Sequence, residues 1–329
     1  MAVVVGATIA TTRGRTTTLA LSWRHTTDWA KRRPLALRLA DALGRGRGRL
    51  RLFDDLNPPT RPAFVPDLTN WERHDLAATW IGHATVLLRI GGMTILTDPV
   101  FSTRVGICMG LMTLGPRRLV APSISISKLP KLDLILISHA HFDHLDRPSL
   151  VRLSKKTPVI TAHRTHDLVH DLGFKNVTEL QWGESLRIGD VNVTARKVSH
   201  WGARTFYDHH RGFNAYLLES SKHRVLYGGD TAYHEGFRDL RTDGGKGVDL
   251  AILGIGAYDP YIAAHATPEQ AWQMADHCMA DHVLPMHHST FKLSHEPTNE
   301  PLERLMTAAG RLVDRVVVAS KMGKIWTPG

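Results

Sequence analysis

Short apolar runs separated by turn residues recur along most of the chain and predict a protein rich in β-strands. The run ATWIGHATVLLRI is separated from MTILTDP by Gly91-Gly92, and SLRI is separated from VNVTARKV by Gly189-Asp190. Both dipeptides are typical of the two-residue turns that join antiparallel strands. Further strands are predicted at LDLILI, PVITA, NAYLLE, RVLYGG, LAILGI and HVLPM.

Helical periodicity occurs between some of these strands, most clearly in TPEQAWQMADHCMA. Here Thr267 is placed to cap a helix, Pro268 to occupy its first position and Gln270 to complete a capping box. Paired strands interleaved with a few helices favour an α/β layered sandwich over a uniform doubly wound sheet.

Length and composition are those of a globular protein, because the chain has 329 residues of which 43% are apolar. Its two cysteines, Cys108 and Cys278, lie far apart and indicate neither a disulfide framework nor a thiolate zinc site. The N-terminal run MAVVVGATIATT lacks a preceding basic region and makes a poor signal peptide. No window approaches the roughly 20 apolar residues of a membrane-spanning helix. These features predict a cytoplasmic protein.

The net charge of +10 is concentrated near the N-terminus. Residues 1–53 contain eleven Lys and Arg, all between positions 13 and 51, against two Asp, so they carry +9 and the remainder carries +1. This basic arm suggests peripheral contact of residues 13–51 with an anionic surface, either a membrane leaflet or nucleic acid. A solvated extension is an equally open interpretation.

The arm is followed by two segments with the composition of a linker, GRGRGRLR and NPPTRP. We therefore predict a basic N-terminal extension and linker over residues 1–70 and a folded domain over residues 71–329.

The stretch SHAHFDHLD, directly after LDLILI, concentrates metal-binding side chains. It supplies His139, His141, Asp143 and His144, and alternate residues leaving a strand point to the same side. The spacing serves two metal ions, and imidazole with carboxylate but no thiolate favours Zn²⁺, with Mn²⁺ or Fe²⁺ as alternatives. A capped turn with incidental histidines is disfavoured, because four such groups desolvated together would repel each other without an ion.

A two-metal centre needs ligands from other strand ends, and three residues have that placement. His200 ends VTARKVSH, Asp230 follows RVLYGG and His287 follows HVLP. Open sheets place functional groups at such outlets. Each residue is a weak candidate on its own, because lone strand-end histidines and aspartates commonly make surface hydrogen bonds or cap turns.

The full order of these residues carries a resemblance. H-x-H-x-D-H, a strand-end histidine, G-D-T and a late histidine together resemble the ligand pattern of the metallo-β-lactamase superfamily. The resemblance implies a four-layer αββα sandwich with a dinuclear site at one edge. One metal ion would be held by His139, His141 and His200, the other by Asp143, His144 and His287, and Asp230 would bridge them.

Further segments resemble the branch that contains N-acyl-phosphatidylethanolamine-hydrolysing phospholipase D, namely WIGHATVLL, LTDPVFSTR, GPRR, GDTAYH, GIGAYDP and HATPEQA. The resemblance runs from about Trp71 to Trp326 and excludes the basic arm, so residues 71–329 are identified as a metallo-β-lactamase-like catalytic domain. It departs at His288, where the branch has an aromatic residue, and in residues 106–116. Both departures are expected to line the substrate entrance.

The resemblance implies a metal-dependent hydrolase, foremost a phosphodiesterase of phospholipase D type acting on N-acylphosphatidylethanolamine or a related phosphodiester. Two cations would lower the pKa of a shared water, and the bridging hydroxide would attack phosphorus without a protein nucleophile. Asp143 and Asp230 are candidates for orienting that hydroxide and passing its proton. His265, in HATPEQA, is a candidate contact to the phosphate or leaving group, and a backbone bond at the helix N-terminus is an equally open interpretation.

Two other functions stay open at this point. A lactone could replace the phosphodiester as electrophile, as in the ascorbate-phosphate lactonase branch. Alternatively, the chain could be a membrane- or nucleic-acid-binding protein with a structural metal site. This is disfavoured because a degenerate site would be expected to have lost at least one of the seven ligand residues, and all seven are present. Nuclease activity is disfavoured because the body carries little charge to steer a polyanion. The expected partner is therefore a small-molecule or lipid phosphodiester.

Two residues outside the ligand set are predicted near the edge of the site. His83, in IGHAT, is expected to be either a satisfied core histidine or a bonding partner of a metal ligand or of Asp98. Asp98, in LTDP, is expected to stabilise a turn or a ligand histidine.

Overall fold

The computed structural model describes residues 58–109, 112–242, 244–316 and 321–328. The predicted basic contact region, residues 13–51, lies outside the described residues. Thr60, in the predicted linker, forms a β-bridge with Val120, so this end of the linker is hydrogen-bonded to the rest of the described chain. The domain boundary near residue 70 stays a prediction.

The described chain is built from short strands and a few helices. The strands are β1 (Leu76–Gly82), β2 (Thr85–Ile90), β3 (Met93–Thr97), β4 (Ile107–Met109), β5 (Met112–Leu114), β6 (Leu134–Ile137), β7 (Val159–Ala162), β8 (Val177–Leu180), β9 (Ser185–Ile188), β10 (Val191–Arg196), β11 (Ala215–Glu219), β12 (Arg224–Tyr227), β13 (Leu250–Gly254), β14 (His282–Met286) and β15 (Ile325–Trp326). The α-helices are α1 (Arg147–Val151), α2 (His166–His170), α3 (Pro268–His277) and α4 (Glu300–Ala309). Single 3₁₀ segments lie at Trp71–Arg73, Ile126–Lys128, Gly236–Leu240 and Gly310–Arg315.

The strands form two mixed sheets. The first has the order β15-β1-β2-β3-β6-β7-β8 and the second the order β14-β13-β12-β11-β10-β9, while β4 and β5 form a separate hairpin. The turns predicted at Gly91-Gly92 and Gly189-Asp190 join β2 to β3 and β9 to β10, as expected. Gly91 and Gly92 have φ angles of 54° and 74°, which glycine adopts without a steric penalty.

The sequence suggested that the run ATWIGHATVLLRI continues unbroken up to the Gly91-Gly92 turn. In the structure the run is interrupted. It forms β1 and β2, which pair with each other after a tight turn at His83 and Ala84. Gly82 and His83 both have positive φ angles, of 139° and 55°. Nearly every residue of both strands is buried, so no alternation of polar positions marks this turn in the sequence.

Three large apolar clusters define four layers. Between the sheets, side chains such as Trp80, Leu88, Tyr216 and Leu284 pack together. The outer face of the first sheet packs against α1 and α2, and the outer face of the second against α3 and α4. This arrangement confirms the predicted αββα sandwich.

Helix α3 begins as its sequence predicted. The Thr267 Oγ1 atom accepts a hydrogen bond from the Gln270 backbone N–H (3.3 Å), and Gln270 Oε1 accepts one from the Thr267 N–H (3.0 Å). The helix ends at His277, before the end of the predicted run, and Met279 has a φ of 49°. No helix in the described parts of the chain is both long enough and apolar enough to cross a bilayer.

The topology brings several strand ends to one edge of the sandwich. β3 runs parallel to β6, and β12 runs parallel to β13 and β14. The carboxyl ends of parallel strands lie at the same edge of a sheet, where ligand-binding side chains of α/β proteins concentrate. Asp98, Ser138, Gly228 and His287 directly follow β3, β6, β12 and β14. The candidate residues therefore come from strand ends of both sheets.

Candidate metal centre

The loop Ser138–Asp146 is held in place by hydrogen bonds within the chain itself. Both the backbone N–H (2.7 Å) and the Oγ–H (2.6 Å) of Ser138 donate to the carboxyl group of Asp98. Further along, the N–H groups of His144 and Leu145 donate to the His141 carbonyl and close a turn. The loop is thereby folded back over the end of β6, which turns Asp143 and His144 toward the same region as His139 and His141.

A first group of side chains consists of His139, His141 and His200, with Asp230 beside them. His141 Nδ1 lies 2.8 Å from His139 Nε2 and 3.2 Å from His200 Nε2. Asp230 Oδ2 lies 3.9 Å from His139 Nε2 and 3.8 Å from His200 Nε2. Three imidazole nitrogens thus point at one another around a common space.

A second group consists of Asp143, His144 and His287, with His83 behind them. Asp143 Oδ2 lies 3.4 Å from His287 Nε2 and 3.8 Å from His144 Nε2. Asp230 Oδ2 also belongs here, because it lies 3.0 Å from His144 Nε2 and 3.1 Å from His287 Nε2. Asp230 therefore stands between the two groups, and the structure brings together all seven residues that the sequence selected.

The far nitrogen of several imidazoles is tied to a second residue. His144 Nδ1 lies 2.6 Å from Asp98 Oδ2, and His139 Nδ1 lies 2.9 Å from Ser138 Oγ. His200 Nδ1 donates to the carbonyl of Ala264 at 3.0 Å. Such partners fix the ring orientation of metal-binding histidines and leave the other nitrogen for the ion.

The donor set fits divalent cations. Within the described residues, several buried atoms at the centre of the two groups have no hydrogen-bond partner, namely His144 Nε2, His287 Nε2 and Asp230 Oδ1. Buried polar atoms without a partner are costly, and atoms that converge in this way lose the cost when they coordinate an ion. Imidazole and carboxylate donors without thiolate suit Zn²⁺, Mn²⁺ or Fe²⁺.

The charges of the carboxylates also favour a bound cation at the centre. Burial by itself would raise the pKa of Asp230. His144 and His287 lower that pKa by more than burial raises it, so it lies well below the usual range. Burial lowers the pKa of His287, but Asp230 and Asp143 outweigh this effect and raise it to about 9. The carboxylates stay ionised and attract protons to His144 and His287, whose pKa values they raise, and a bound cation would take the place of those protons.

His265 lies at the mouth of the centre. Its Nδ1 atom is 3.9 Å from Asp230 Oδ2, and its ring centroid is 5.3 Å from that of His287. Burial lowers its pKa to about 4, so the imidazole is neutral at pH 7. Its backbone N–H donates to the carbonyl of Tyr261, so the backbone bond of the alternative interpretation is present while the side chain faces the site.

Residues around the centre depart from the sequence-based expectations in some places and match them in others. His288, which was expected to line the substrate entrance, is buried, and its ring stacks on Trp80 at a centroid distance of 4.6 Å. Tyr227, which no sequence signal marked, donates from Oη to Asp98 Oδ2 at 2.6 Å. His83 proves to be a neighbour of Asp143, with Nε2 2.9 Å from Asp143 Oδ2, and Asp98 bonds to His144 as one of its two interpretations predicted.

Comparison with known proteins agrees with this geometry. Residues 93–288 match the family described as Beta-lactamase superfamily domain. An N-acyl-phosphatidylethanolamine-hydrolyzing phospholipase D of Caenorhabditis elegans is 31% identical over 274 residues, which cover 76% of this chain and 75% of that protein. The mitochondrial enzyme of that name from Saccharomyces cerevisiae is 34% identical over 267 residues, which cover 78% of this chain and 55% of that protein.

A solved structure supports the fold independently. A possible metal-dependent hydrolase from Veillonella parvula superimposes with a TM-score of 0.61 at 19% identity, and the match covers 77% of this chain and 99% of that one. With the family match and the relatives above, this chain belongs to the metallo-β-lactamase superfamily, in the branch of the N-acyl-phosphatidylethanolamine-hydrolysing phospholipases D, and is a metal-dependent hydrolase.

Proposed function

We propose that this hydrolase is a phosphodiesterase of phospholipase D type that acts on N-acylphosphatidylethanolamine or a closely related phosphodiester. The observation that carries the proposal is the position of Asp230 Oδ2, which lies 3.0–3.9 Å from imidazole nitrogens of both groups. A carboxylate shared in this way suits a dinuclear centre. The 31% and 34% identical relatives named as phospholipases D support the substrate class.

The roles of the site residues follow from this proposal. His139, His141 and His200 would hold one divalent ion, Asp143, His144 and His287 the other, and Asp230 both. Ions held there, most suitably Zn²⁺, would lower the pKa of a coordinated water and neutralise charge that develops on a phosphate.

The remaining work falls to the chain's own side chains. Asp143 and Asp230, ionised at neutral pH, can accept a proton from an attacking water and orient it. His265 is neutral and lies at the mouth of the centre, so it can donate a hydrogen bond to a phosphate oxygen or to the leaving group. Neither step requires a covalent intermediate with the protein.

Exposed aromatic side chains beside the centre favour a lipid over a water-soluble phosphodiester. The loop that follows His200 exposes Phe206 and Tyr207 to 90% and 84%. Trp201, in the same loop, packs its ring at 4.8 Å from His141, so the loop adjoins the site. Aromatic groups that protrude in this way are typical of surfaces that meet a membrane or another protein. We therefore also propose a cytoplasmic protein that contacts anionic membrane peripherally, with residues 13–51 contributing charge.

The test is a substrate panel on one preparation of the full chain. We expect hydrolysis of N-acylphosphatidylethanolamine in mixed micelles, its loss on removal of metal with a chelator, and its recovery with Zn²⁺. Asp230→Asn should reduce turnover by at least about 10²-fold, since a metal-bridging group is removed. The matched control is Asp190→Asn, in the exposed β9–β10 turn.

Two outcomes would contradict the proposal. Turnover of lactones without turnover of phosphodiesters would transfer the chain to the lactonase alternative. Zinc binding with no hydrolysis of any member of the panel would support a binding protein with a structural metal site.

A further inference from the structure

His83 is held in an unusual backbone conformation by bonds to the segment that carries His287. Its φ of 55° lies in the left-handed region, which costs free energy for a residue other than glycine. Its N–H donates to Thr290 Oγ1 (2.9 Å), and its carbonyl accepts from Trp80 Nε1 (2.6 Å) and from the N–H of His287 (3.1 Å). Three hydrogen bonds therefore fix the direction in which the His83 side chain leaves the backbone.

The ring of His83 is directed at Asp143. It is 1% exposed, and its Nε2 atom lies 2.9 Å from Asp143 Oδ2. The His83 ring packs against that of His287 at a centroid distance of 4.1 Å and, nearly at a right angle, against that of Phe291 at 5.1 Å. The imidazole is thus packed so that its position, and with it the distance to Asp143, is defined.

The geometry also selects the tautomer. His83 Nδ1 is buried and has no hydrogen-bond partner among the described residues. A hydrogen on Nδ1 would leave an unpaired buried donor and would set the Nε2 lone pair against a carboxylate oxygen, which is repulsive. A hydrogen on Nε2 gives a charge-assisted bond to Asp143 instead.

We propose that His83 is the positioning residue of Asp143, donating from Nε2 to Oδ2 so that the carboxylate is held toward the ion shared with His144 and His287. It does for the carboxylate what Asp98, Ser138 and the Ala264 carbonyl do for the imidazoles. The inference rests on the metal assignment of the proposed function.

A matched pair of substitutions tests the donor separately from packing. His83→Gln keeps an N–H donor at a similar reach, whereas His83→Met has a similar length and no donor, and both experience the same positive φ. We expect His83→Met to weaken binding of one Zn²⁺ by about 10–100-fold, as loss of an outer partner of a ligand does. His83→Gln should restore affinity to near the wild-type value. Affinity is measured by competition with a chromophoric chelator, and urea unfolding of the metal-free proteins checks that both variants fold alike.

The result has clear alternatives. Equal loss in the Gln and Met variants would overturn the inference, because it would mean that the imidazole itself binds the ion or only fills space. Unchanged zinc affinity in both variants would overturn it as well. If His83→Met does not fold, His83→Asn, whose amide is too short to reach Asp143, takes its place. A wild-type protein that binds zinc but hydrolyses no phosphodiester would sink the proposed function and leave the zinc comparison to decide on His83.

Discussion

At the scale of single residues, Asp98 links the loop Ser138–Asp146 to both sheets. It is fully buried and accepts hydrogen bonds from the Ser138 N–H and Oγ–H, from Tyr227 Oη and from His144 Nδ1, all at 2.6–2.7 Å. Burial, reinforced by the Asp98 carboxyl group, raises the pKa of Tyr227 well above its usual value and keeps it a donor. The orientation of His144 therefore depends on a residue 46 positions earlier in the chain.

Asp98→Asn is predicted to damage both stability and metal binding. An amide keeps the shape of the side chain but replaces one acceptor oxygen by an NH2 donor. At least one of the four groups that donate to Asp98 then faces another donor and loses its hydrogen bond. We expect a loss of about 1–3 kcal/mol in the free energy of unfolding and a 10–100-fold weaker affinity for Zn²⁺. Urea unfolding and chelator competition measure the two effects. Wild-type values for the variant would show that Asp98 does not orient His144.

At the scale of elements, Arg304 of α4 joins that helix to α3 beneath the second sheet. Its guanidinium donates to both carboxylate oxygens of Glu269 (2.8 Å each) and to Glu300 Oε1 (3.0 Å). The hydrogen bond from Arg304 lowers the pKa of Glu269 to about 2. Helix α3 begins shortly after His265, directly after the capping residue of the helix. The ion pair therefore also stabilises the helix that follows a proposed catalytic residue.

The ion pair gives a prediction for pH dependence. Since the pKa of Glu269 is lower in the folded chain than in the unfolded one, its contribution is present above about pH 4.5 and is lost progressively as pH falls toward 2. Half-exposed pairs are screened by solvent, so Glu269→Gln should cost less than about 1 kcal/mol at pH 7 and progressively less in acid. Urea unfolding at both ends of this range measures it, with Glu303→Gln on the same helix pair as control. A cost that does not shrink in acid would contradict the assigned ion pair.

At the scale of the whole molecule, charge and chemistry are placed in different parts of the chain. Residues 1–53 carry +9 of the net +10, whereas the candidate ligands lie between positions 139 and 287. The two parts can therefore be altered independently. In our proposal the first brings the protein to a membrane and the second performs hydrolysis.

We predict that replacing Arg45, Arg47, Arg49 and Arg51 by Gln weakens membrane binding without affecting hydrolysis. Each basic residue near an anionic surface contributes about 1 kcal/mol at moderate ionic strength, so vesicles containing phosphatidylglycerol should bind the variant much more weakly. Turnover of a soluble phosphodiester should be unchanged. Sedimentation with vesicles at low salt and at about 0.5 M salt checks the electrostatic origin. Equal vesicle binding by the variant and the wild-type chain would remove the arm from the proposal.

Local patterns in the sequence were enough for most elements and for part of the site. The two glycine-containing hairpin turns, the capping box of α3 and the α/β layered class follow from short-range rules, whereas the αββα order of the layers was implied by the family resemblance, and the structure confirms all four. The loop His139–His144 was marked by its own composition. The turn at His83 escaped prediction because β1 and β2 are buried on both faces, which removes the polar alternation that reveals a turn.

What the sequence determined by itself was the identity and order of seven candidate ligands, because the types of side chain and their places after apolar runs are local properties. Only the tertiary structure decided that His200, Asp230 and His287 meet the loop, because a distance of 3.0 Å between Asp230 and His144 depends on how two sheets pack. The same holds for His83, Asp98 and Tyr227, whose roles arise from contacts between residues 46 to 129 positions apart. Such contacts follow from the global packing of the chain, so the local sequence offered them only as alternatives for His83 and Asp98 and did not indicate Tyr227 at all.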